Sequence, residues 1–207
     1  RDGDRIRINA GVTIKAGENI RRAGEDIRNG ECLLARGHRV RAQDVGLLAA
    51  AGIQHVAVRK ALRVGLLCTG DELLEPGDAP RPGKIYNSNR YLLSALLRDL
   101  GCDVVDAGIV PDDQIATEHA LRELAARADI VISTGGVSVG EADCVKQAVL
   151  ATGALDVWKI AVKPGKPLWF GRGPDGQSVF GLPGNPVSAL VCAVRYVLPA
   201  LAEAEGA

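Results

Sequence analysis

The 207-residue sequence contains no methionine, and its aromatic residues are only two Trp, three Tyr and two Phe. Proteins that grip single-stranded nucleic acid stack bases on aromatic platforms, so this scarcity weighs against such a partner. An excess of charge of one sign is also missing, since 25 Lys and Arg balance 25 Asp and Glu for a formal net charge of +0. No basic run extends beyond Arg21 and Arg22, and a neutral chain has no long-range field with which to gather a polyanion. No nucleic acid is expected as a partner. Long hydrophobic runs are absent too: Gly, Arg or Asp breaks each apolar stretch within a few residues, short of the ~20 that span a bilayer. No membrane partner is expected.

Paired cysteines are a further absence. Cys32, Cys68, Cys102, Cys144 and Cys192 are odd in number and widely spaced, which gives neither a disulfide ladder nor a C-x-x-C metal clip. A reducing cytoplasm is the expected compartment, and no signal peptide is read. His38, His55 and His119 are equally scattered and read as surface or packing residues. With no Met, and opening on Arg1, the sequence reads as a fragment whose site is incomplete if the missing ends contribute to it. A chain of this length buries roughly 70% of its unfolded surface. It needs no metal staple, so any metal present serves chemistry.

What is there divides into two patterns. Residues 1–61, rich in Gly and Arg, read as part of a small mixed α+β lobe, with short strands at Asp4–Ile8 and His55–Arg59 and a helix around Val45–Ala51. Residues 62–207 alternate apolar strands with amphipathic segments, the mark of an α/β three-layer open sheet domain. Strands are expected at Arg63–Cys68, Cys102–Val110, Asp129–Thr134, Trp158–Val162, Leu168–Phe170 and Ser178–Phe180. A helix begins near Asn89, where Leu93, Leu96, Leu97 and Leu100 fall at i, i+3, i+4 and i+7, capped by Asn87 or Ser88 and stopped by Gly101. Further helices follow Pro111-Asp112-Asp113, span about Ala142–Ala151, and begin at Pro186 after an Asn185 cap. Pro199 is expected to kink or interrupt the last.

Open α/β sheets bind ligands at the carboxyl ends of their strands, so five loops matter. They read Thr69-Gly70-Asp71-Glu72, Pro111-Asp112-Asp113, Gly135-Gly136-Val137-Ser138-Val139-Gly140-Glu141-Ala142-Asp143, Lys163-Pro164-Gly165-Lys166-Pro167 and Gly181-Leu182-Pro183-Gly184-Asn185-Pro186. Carboxylates and lysines meeting on one rim suit a phosphate or other oxyanion bridged to protein by a hard cation, with Mg²⁺ the candidate. Helix starts near Asp143 and Asn185 add N–H groups that favour anions. The one G-x-G-x-x-G string, Gly171, Gly173 and Gly176, contains Pro174 and leads into a strand, so it reads as a hairpin turn and not a dinucleotide fingerprint. Gly165-Lys166 lacks the rest of a P-loop. Taken singly, each piece has a plainer reading: Asp112 or Asp113 as a helix cap, Glu72 as a solvated turn residue, Lys159 as an outward strand residue, Lys163 and Lys166 as loop charges. Their common edge favours a site.

The strings GENIRRAGEDI at 17–27, TGDEL at 69–73, IYNSNR ending at Arg90, GGVSVGEAD at 135–143, KPGKP at 163–167 and GLPGNPVSA at 181–189 together resemble the MoeA-type molybdopterin molybdenumtransferases, the family that includes the gephyrin E domain. The resemblance implies a molybdopterin-binding domain that inserts molybdate into adenylated molybdopterin and releases AMP, with Mg²⁺ as cofactor. By motif position it assigns Glu72, Asp112 and Asp143 to Mg²⁺ and the adenylate phosphate. Lys159, Lys163, Lys166, Asn185 and Ser188 become holders of oxyanions. Thr69, Gly70, Asp71, Gly135, Gly136, Ser138, Pro183 and Pro186 line the substrate site, while Arg21 and Asp26 contribute from the small lobe across a homodimer interface. Other molybdenum cofactor biosynthesis proteins are further expected partners. Cys68 stands where relatives often have Ser, and the family's C-terminal β domain is not in the sequence.

Two other readings compete. A MogA-type molybdopterin adenylyltransferase would share the second domain but lack the lobe that carries GEDI and have a different glycine loop. A non-catalytic, gephyrin-like scaffold would have no need of the rim carboxylates.

Overall fold

The computed structural model describes residues 3–4, 11, 13, 15–135 and 144–206. The chain forms two compact units, residues 1–56 and 57–207.

In the first unit the backbone repeatedly turns through glycine. Glu18, Glu25 and Glu31 each donate their N–H to the carbonyl three residues back, at Lys15, Arg22 and Arg28, and each returns its carboxylate to the N–H of that same residue at 2.8–3.0 Å. The third residue of every turn, Gly17, Gly24 and Gly30, has φ of 85°, 76° and 84°, a conformation that costs glycine least. Helix α1 follows at Ala42–Ala50, beginning before the expected Val45. The nearly buried Asp44 fixes its start by accepting from the Arg41 N–H at 2.9 Å and Arg41 Nε at 3.0 Å, and it lies 2.8 Å from His38 Nε2. The strand expected at Asp4–Ile8 falls largely outside the described residues.

The second unit is a six-stranded sheet. Its strands are β1 (Arg63–Thr69), β4 (Asp103–Val110), β5 (Ile130–Thr134), β6 (Ala154–Trp158), β7 (Trp169–Arg172) and β8 (Ser178–Leu182), in the spatial order β4-β1-β5-β8-β7-β6. The four strands β4, β1, β5 and β8 are parallel, whereas β7 is antiparallel to both β8 and β6. The two-residue strands β2 (Leu73–Leu74) and β3 (Ile85–Tyr86) pair in parallel within the loop that follows β1.

Strands buried on both faces need apolar residues on both, as parallel sheets require. Val64, Leu66, Ile130, Ile132, Phe180 and Leu182 face one core with Leu93, Leu97, Ala189, Cys192 and Val197. That core is covered by α2 (Ser88–Asp99) and α5 (Pro186–Cys192). Leu67, Val131 and Val179 face the other, with Leu121, Leu124, Val145 and Val149. Its cover is α3 (Gln114–Ala125) and α4 (Cys144–Thr152). Helix, sheet and helix thus make three layers, and complete burial of each Leu or Val contributes about 1.5–3 kcal/mol.

Two expectations need correction. His55–Arg59 is not a strand, and among the described residues no strand pairs with it. The strand expected at Trp158–Val162 lies earlier, at 154–158, because Lys159 adopts φ 65° and a left-handed residue ends the ladder. As expected, the α-helical ladder is interrupted next to Pro199, although the helix does not end there. The chain continues from α5 through a π-helical turn, Ala193–Val197, into α6 (Leu198–Glu205). Leu198 reaches back five residues to the Ala193 carbonyl, a widening that accommodates the proline's missing donor and ring. The resulting helix, Pro186–Glu205, is long and apolar enough to cross a membrane by length and composition. Here Ala189, Cys192, Ala193, Val197 and Leu201 lie in the sheet's core, while Val187, Leu190 and Val194 are exposed.

Candidate active site

The carboxyl ends of β1, β4, β5 and β8 open on one rim because those strands run the same way. The sheet also brings the KPGKP loop there: Trp169, which begins β7, pairs with Gly181 near the end of β8, so residues 159–168 connect β6 to β7 at that same end. Within this loop Ile160 donates to Lys166 O and Lys159 to Leu168 O, both at 3.0 Å. Gly165 packs so closely on α5 that a Cβ there would lie 2.6 Å from Cys192 Sγ.

At one side of the rim two carboxylates adjoin. The Asp71 N–H donates to Asp112 Oδ2 at 3.3 Å and the Asp112 N–H donates to Asp71 Oδ1 at 3.2 Å, joining the ends of β1 and β4. Asp113, not Asp112, caps α3 by accepting from the Ala116 N–H at 2.8 Å. That leaves Asp112 out of the cap and on the rim. Glu72 folds back over Gly70, where an added Cβ would meet its carboxylate at 2.6 Å. Lys84, which the sequence did not single out, donates its ammonium to the Asp71 carbonyl.

The centre is closed by glycine. A Cβ on Gly135 would stand 2.1 Å from the carbonyl oxygen of Thr69, and Gly135 has φ 88°, so only glycine lets β5 leave the sheet against β1. Pro183 is buried, whereas Gly184, Asn185 and Pro186 are exposed. Asn185 caps α5, its Oδ1 accepting from the Ser188 N–H at 3.1 Å, with Ser188 Oγ at 3.4 Å. Lys163 and Lys166 are exposed and Lys159 is half-buried.

The structure therefore gathers Thr69, Gly70, Asp71, Glu72, Asp112, Gly135, Lys159, Lys163, Lys166, Pro183, Asn185, Pro186 and Ser188 at one end of one sheet. Gly136, Ser138 and Asp143 lie outside the described residues. Cys144, the residue after Asp143, places its thiol 3.5 Å from the Asp112 carbonyl. In the first unit, Arg21 and Asp26 form an exposed ion pair at 3.1 Å.

Behind the rim lie residues that sequence reasoning passed over. Arg90 joins Glu75 to Asp106, the latter at 2.7 Å, and Tyr91 donates to Glu75 at 2.8 Å, which ties the β2–β3 loop to the outer strand β4. Burial pushes the Cys68 thiol up to about 11, with the neighbouring Asn87 side chain acting the other way. The thiol is thus neutral near pH 7 and serves as a packing group.

Among the described residues, no group of three or more His, Cys, Asp or Glu forms a metal site. The donors at Asp71 and Asp112 are still of the kind that Mg²⁺ takes, since it is commonly held by one or two carboxylates together with substrate phosphate.

Known proteins resemble this chain over most of its length. Residues 65–203 match the family described as "Probable molybdopterin binding domain", and residues 2–52 match "MoeA N-terminal region (domain I and II)". The molybdopterin molybdenumtransferase of Haemophilus influenzae is 44% identical over 192 residues, which make up 93% of this chain and 47% of that protein. Molybdopterin molybdenumtransferase 2 of Mycobacterium tuberculosis is 38% identical over 196 residues, 92% of this chain and 48% of that one. A crystal structure of the molybdopterin biosynthesis MoeA protein from Pyrococcus horikoshii superposes with a TM-score of 0.80 at 33% identity, covering 88% of this chain and 45% of that one. A molybdenum cofactor biosynthesis protein B shares the fold alone, at 18% identity and a TM-score of 0.54. The chain spans about half the length of the curated relatives it matches. With an N-terminal region and a binding domain matched in order along its length, the chain belongs to the MoeA family of molybdopterin-binding proteins.

Proposed function

We propose that this chain provides the substrate-binding domain of a molybdopterin molybdenumtransferase, which inserts molybdate into adenylated molybdopterin and releases AMP. The observation that carries the reading is the division of charge along one rim: carboxylates Asp71, Glu72 and Asp112 at the ends of β1 and β4, lysines 163 and 166 beyond β8. A substrate with a phosphate at one end and a molybdate-accepting centre at the other suits that division.

In this reading Asp112 and Glu72, with Asp71 beside them and Asp143 following the glycine loop, hold Mg²⁺. The ion, when bound, neutralises phosphate charge. Lys159, Lys163 and Lys166 draw in the molybdate oxyanion, and the side chains of Asn185 and Ser188 at the start of α5 orient it. Thr69, Gly70, Gly135 and Pro183 supply a close-fitting floor, and the glycines let the backbone approach the substrate. Positioned charge does most of the work, as in other phosphoryl chemistry. Arg21 and Asp26 as contributors, a homodimer and a cytoplasmic setting belong to the same proposal. The N-terminal match over residues 2–52 favours it over an adenylyltransferase.

Calorimetry with adenylated molybdopterin tests it. Binding in Mg²⁺ that is lost in EDTA, followed by AMP release when molybdate is added, is expected. Binding without release in the presence of molybdate would leave a binding module and overturn the transferase.

A further inference from the structure

The IYNSNR motif lies at the start of α2, and its Asn89 is only 6% exposed. Both hydrogens of the Asn89 amide are spent on the rim's loops: Nδ2 donates to Thr134 Oγ1 at 2.9 Å and to the Gly184 carbonyl at 2.8 Å. Thr134 is the last residue of β5, directly before Gly135, and Gly184 directly precedes the Asn185 cap. A carbonyl only accepts, so the contact with Gly184 fixes which end of the amide carries nitrogen. The two loops are close, since a Cβ on Gly184 would lie 4.0 Å from the Cα of Gly135.

One atom of this group works against stability. Asn89 Oδ1 is buried without a hydrogen-bond partner, one of six such side-chain atoms among the described residues, and such an atom costs stability. An apolar residue of the same shape would avoid that cost but would leave the Thr134 hydroxyl and the Gly184 carbonyl without the Asn89 amide, so the side chain is kept for the bridge.

We propose that Asn89 is a positioning residue: it sets the separation between the Gly135 loop and the Gly184–Asn185 loop, and so the alignment of the phosphate and molybdate ends of the substrates. The inference rests on the transferase reading above. It concerns alignment and not affinity, since each loop keeps its own binding groups when the bridge is cut.

The test compares Asn89→Leu, Thr134→Val and Thr134→Ser in the purified protein. For Asn89→Leu, kcat for molybdate-triggered AMP release falls about a hundredfold, the scale of a 1 Å misplacement. Its Kd for adenylated molybdopterin moves less than about threefold, the split expected when only the transition state is affected. Thr134→Ser, which keeps the hydroxyl acceptor, retains wild-type kcat, while Thr134→Val loses it. Wild-type kcat in a folded Asn89→Leu protein, or a matching loss of affinity, overturns the proposal. Should Asn89→Leu fail to fold, equal kcat in the two Thr134 variants overturns it instead. Where the wild-type protein itself releases no AMP, the transferase reading fails, and amide exchange decides the bridge alone. Faster exchange at Gly135 and Gly184 in Asn89→Leu supports it, and unchanged exchange overturns it.

Discussion

Asp71 and Asp112, 41 positions apart in sequence, each offer a backbone N–H to the other's carboxylate, at 3.3 and 3.2 Å. The exchange fixes two acidic side chains side by side where neighbouring parallel strands end. Each carboxylate keeps acceptor capacity beyond that N–H, and both side chains are exposed, where a cation or a substrate can use it.

Asp112→Asn separates structure from chemistry at this position. The amide keeps an oxygen to accept from the Asp71 N–H, so circular dichroism and the thermal midpoint should match wild type. The lost charge should lower molybdate-triggered AMP release by about a hundredfold or more, the usual scale for a deleted electrostatic group. Near-normal turnover in both Asp112→Asn and Asp143→Asn would remove these residues from the mechanism.

Two glycines should resist even a methyl group. A Cβ at Gly181 would lie 1.8 Å from the Trp169 ring, and one at Gly135 would lie 2.1 Å from the Thr69 carbonyl. Gly181→Ala and Gly135→Ala should each cost about 1–3 kcal/mol or more, by analogy with overpacked cores. Urea unfolding measures this, and Gly52→Ala, with open space around it but φ 76°, reports the backbone cost alone.

Acid should loosen the start of β1. The Arg63 guanidinium hydrogen-bonds Asp129 and, with help from the Arg63 N–H, holds its carboxyl below the ordinary range. A group whose pKa is lower in the folded than in the unfolded state stabilises the fold above the unfolded value, and that stability is lost as pH falls through the folded value. The loss should therefore begin near pH ~4 and deepen below it. Asp44, lowered by Arg41 and His38, adds the same sign in the first unit. Asp129→Asn should flatten the acid limb of a stability-against-pH curve, and an unchanged limb would show that other carboxylates control it.

Thiol chemistry should be selective. Cys32 is exposed, while Cys68, Cys102 and Cys192 are buried, and burial raises all three buried thiols. Native protein treated with a disulfide reagent near pH 8 should label Cys32 quickly, and the buried three only after denaturation. Rapid labelling of Cys68 would mean that the end of β1 opens readily.

What could be read in advance depended on the length scale of the signal. Arg63–Thr69 and Ile130–Thr134 announce themselves as continuous apolar runs because both sheet faces are covered. The leucines of α2 show their period, and Asn185 before Pro186 is a cap with a plain mechanism. The pairing of Leu73–Leu74 with Ile85–Tyr86 is too short for any period to develop. Lys159 gives no warning of its positive φ, since the surrounding turn imposes it. The turns ending in Glu18, Glu25 and Glu31 were visible as a basic residue, any residue, Gly and Glu, three times within 17 positions, but as loops they lack a hydrophobic signal. Asn89 was hidden for a different reason. Its partners, Thr134 and Gly184, are 45 and 95 positions away, and only the fold brings them together.

The outer strands β4 and β6 each contain one extra residue. Between Leu66 and Cys68 of β1 the partner strand advances from Asp106 to Ile109, through Gly108 at φ 74°, and β6 bulges at Asp156 between Leu155 and Val157. Each irregularity carries an aspartate at the border of the sheet, ion-paired with Arg90 in one case and Arg172 in the other. A kinked, charged border is a poor template for another strand. Copies of this chain at high concentration should therefore be protected from edge-to-edge aggregation, and the sheet ends at six strands.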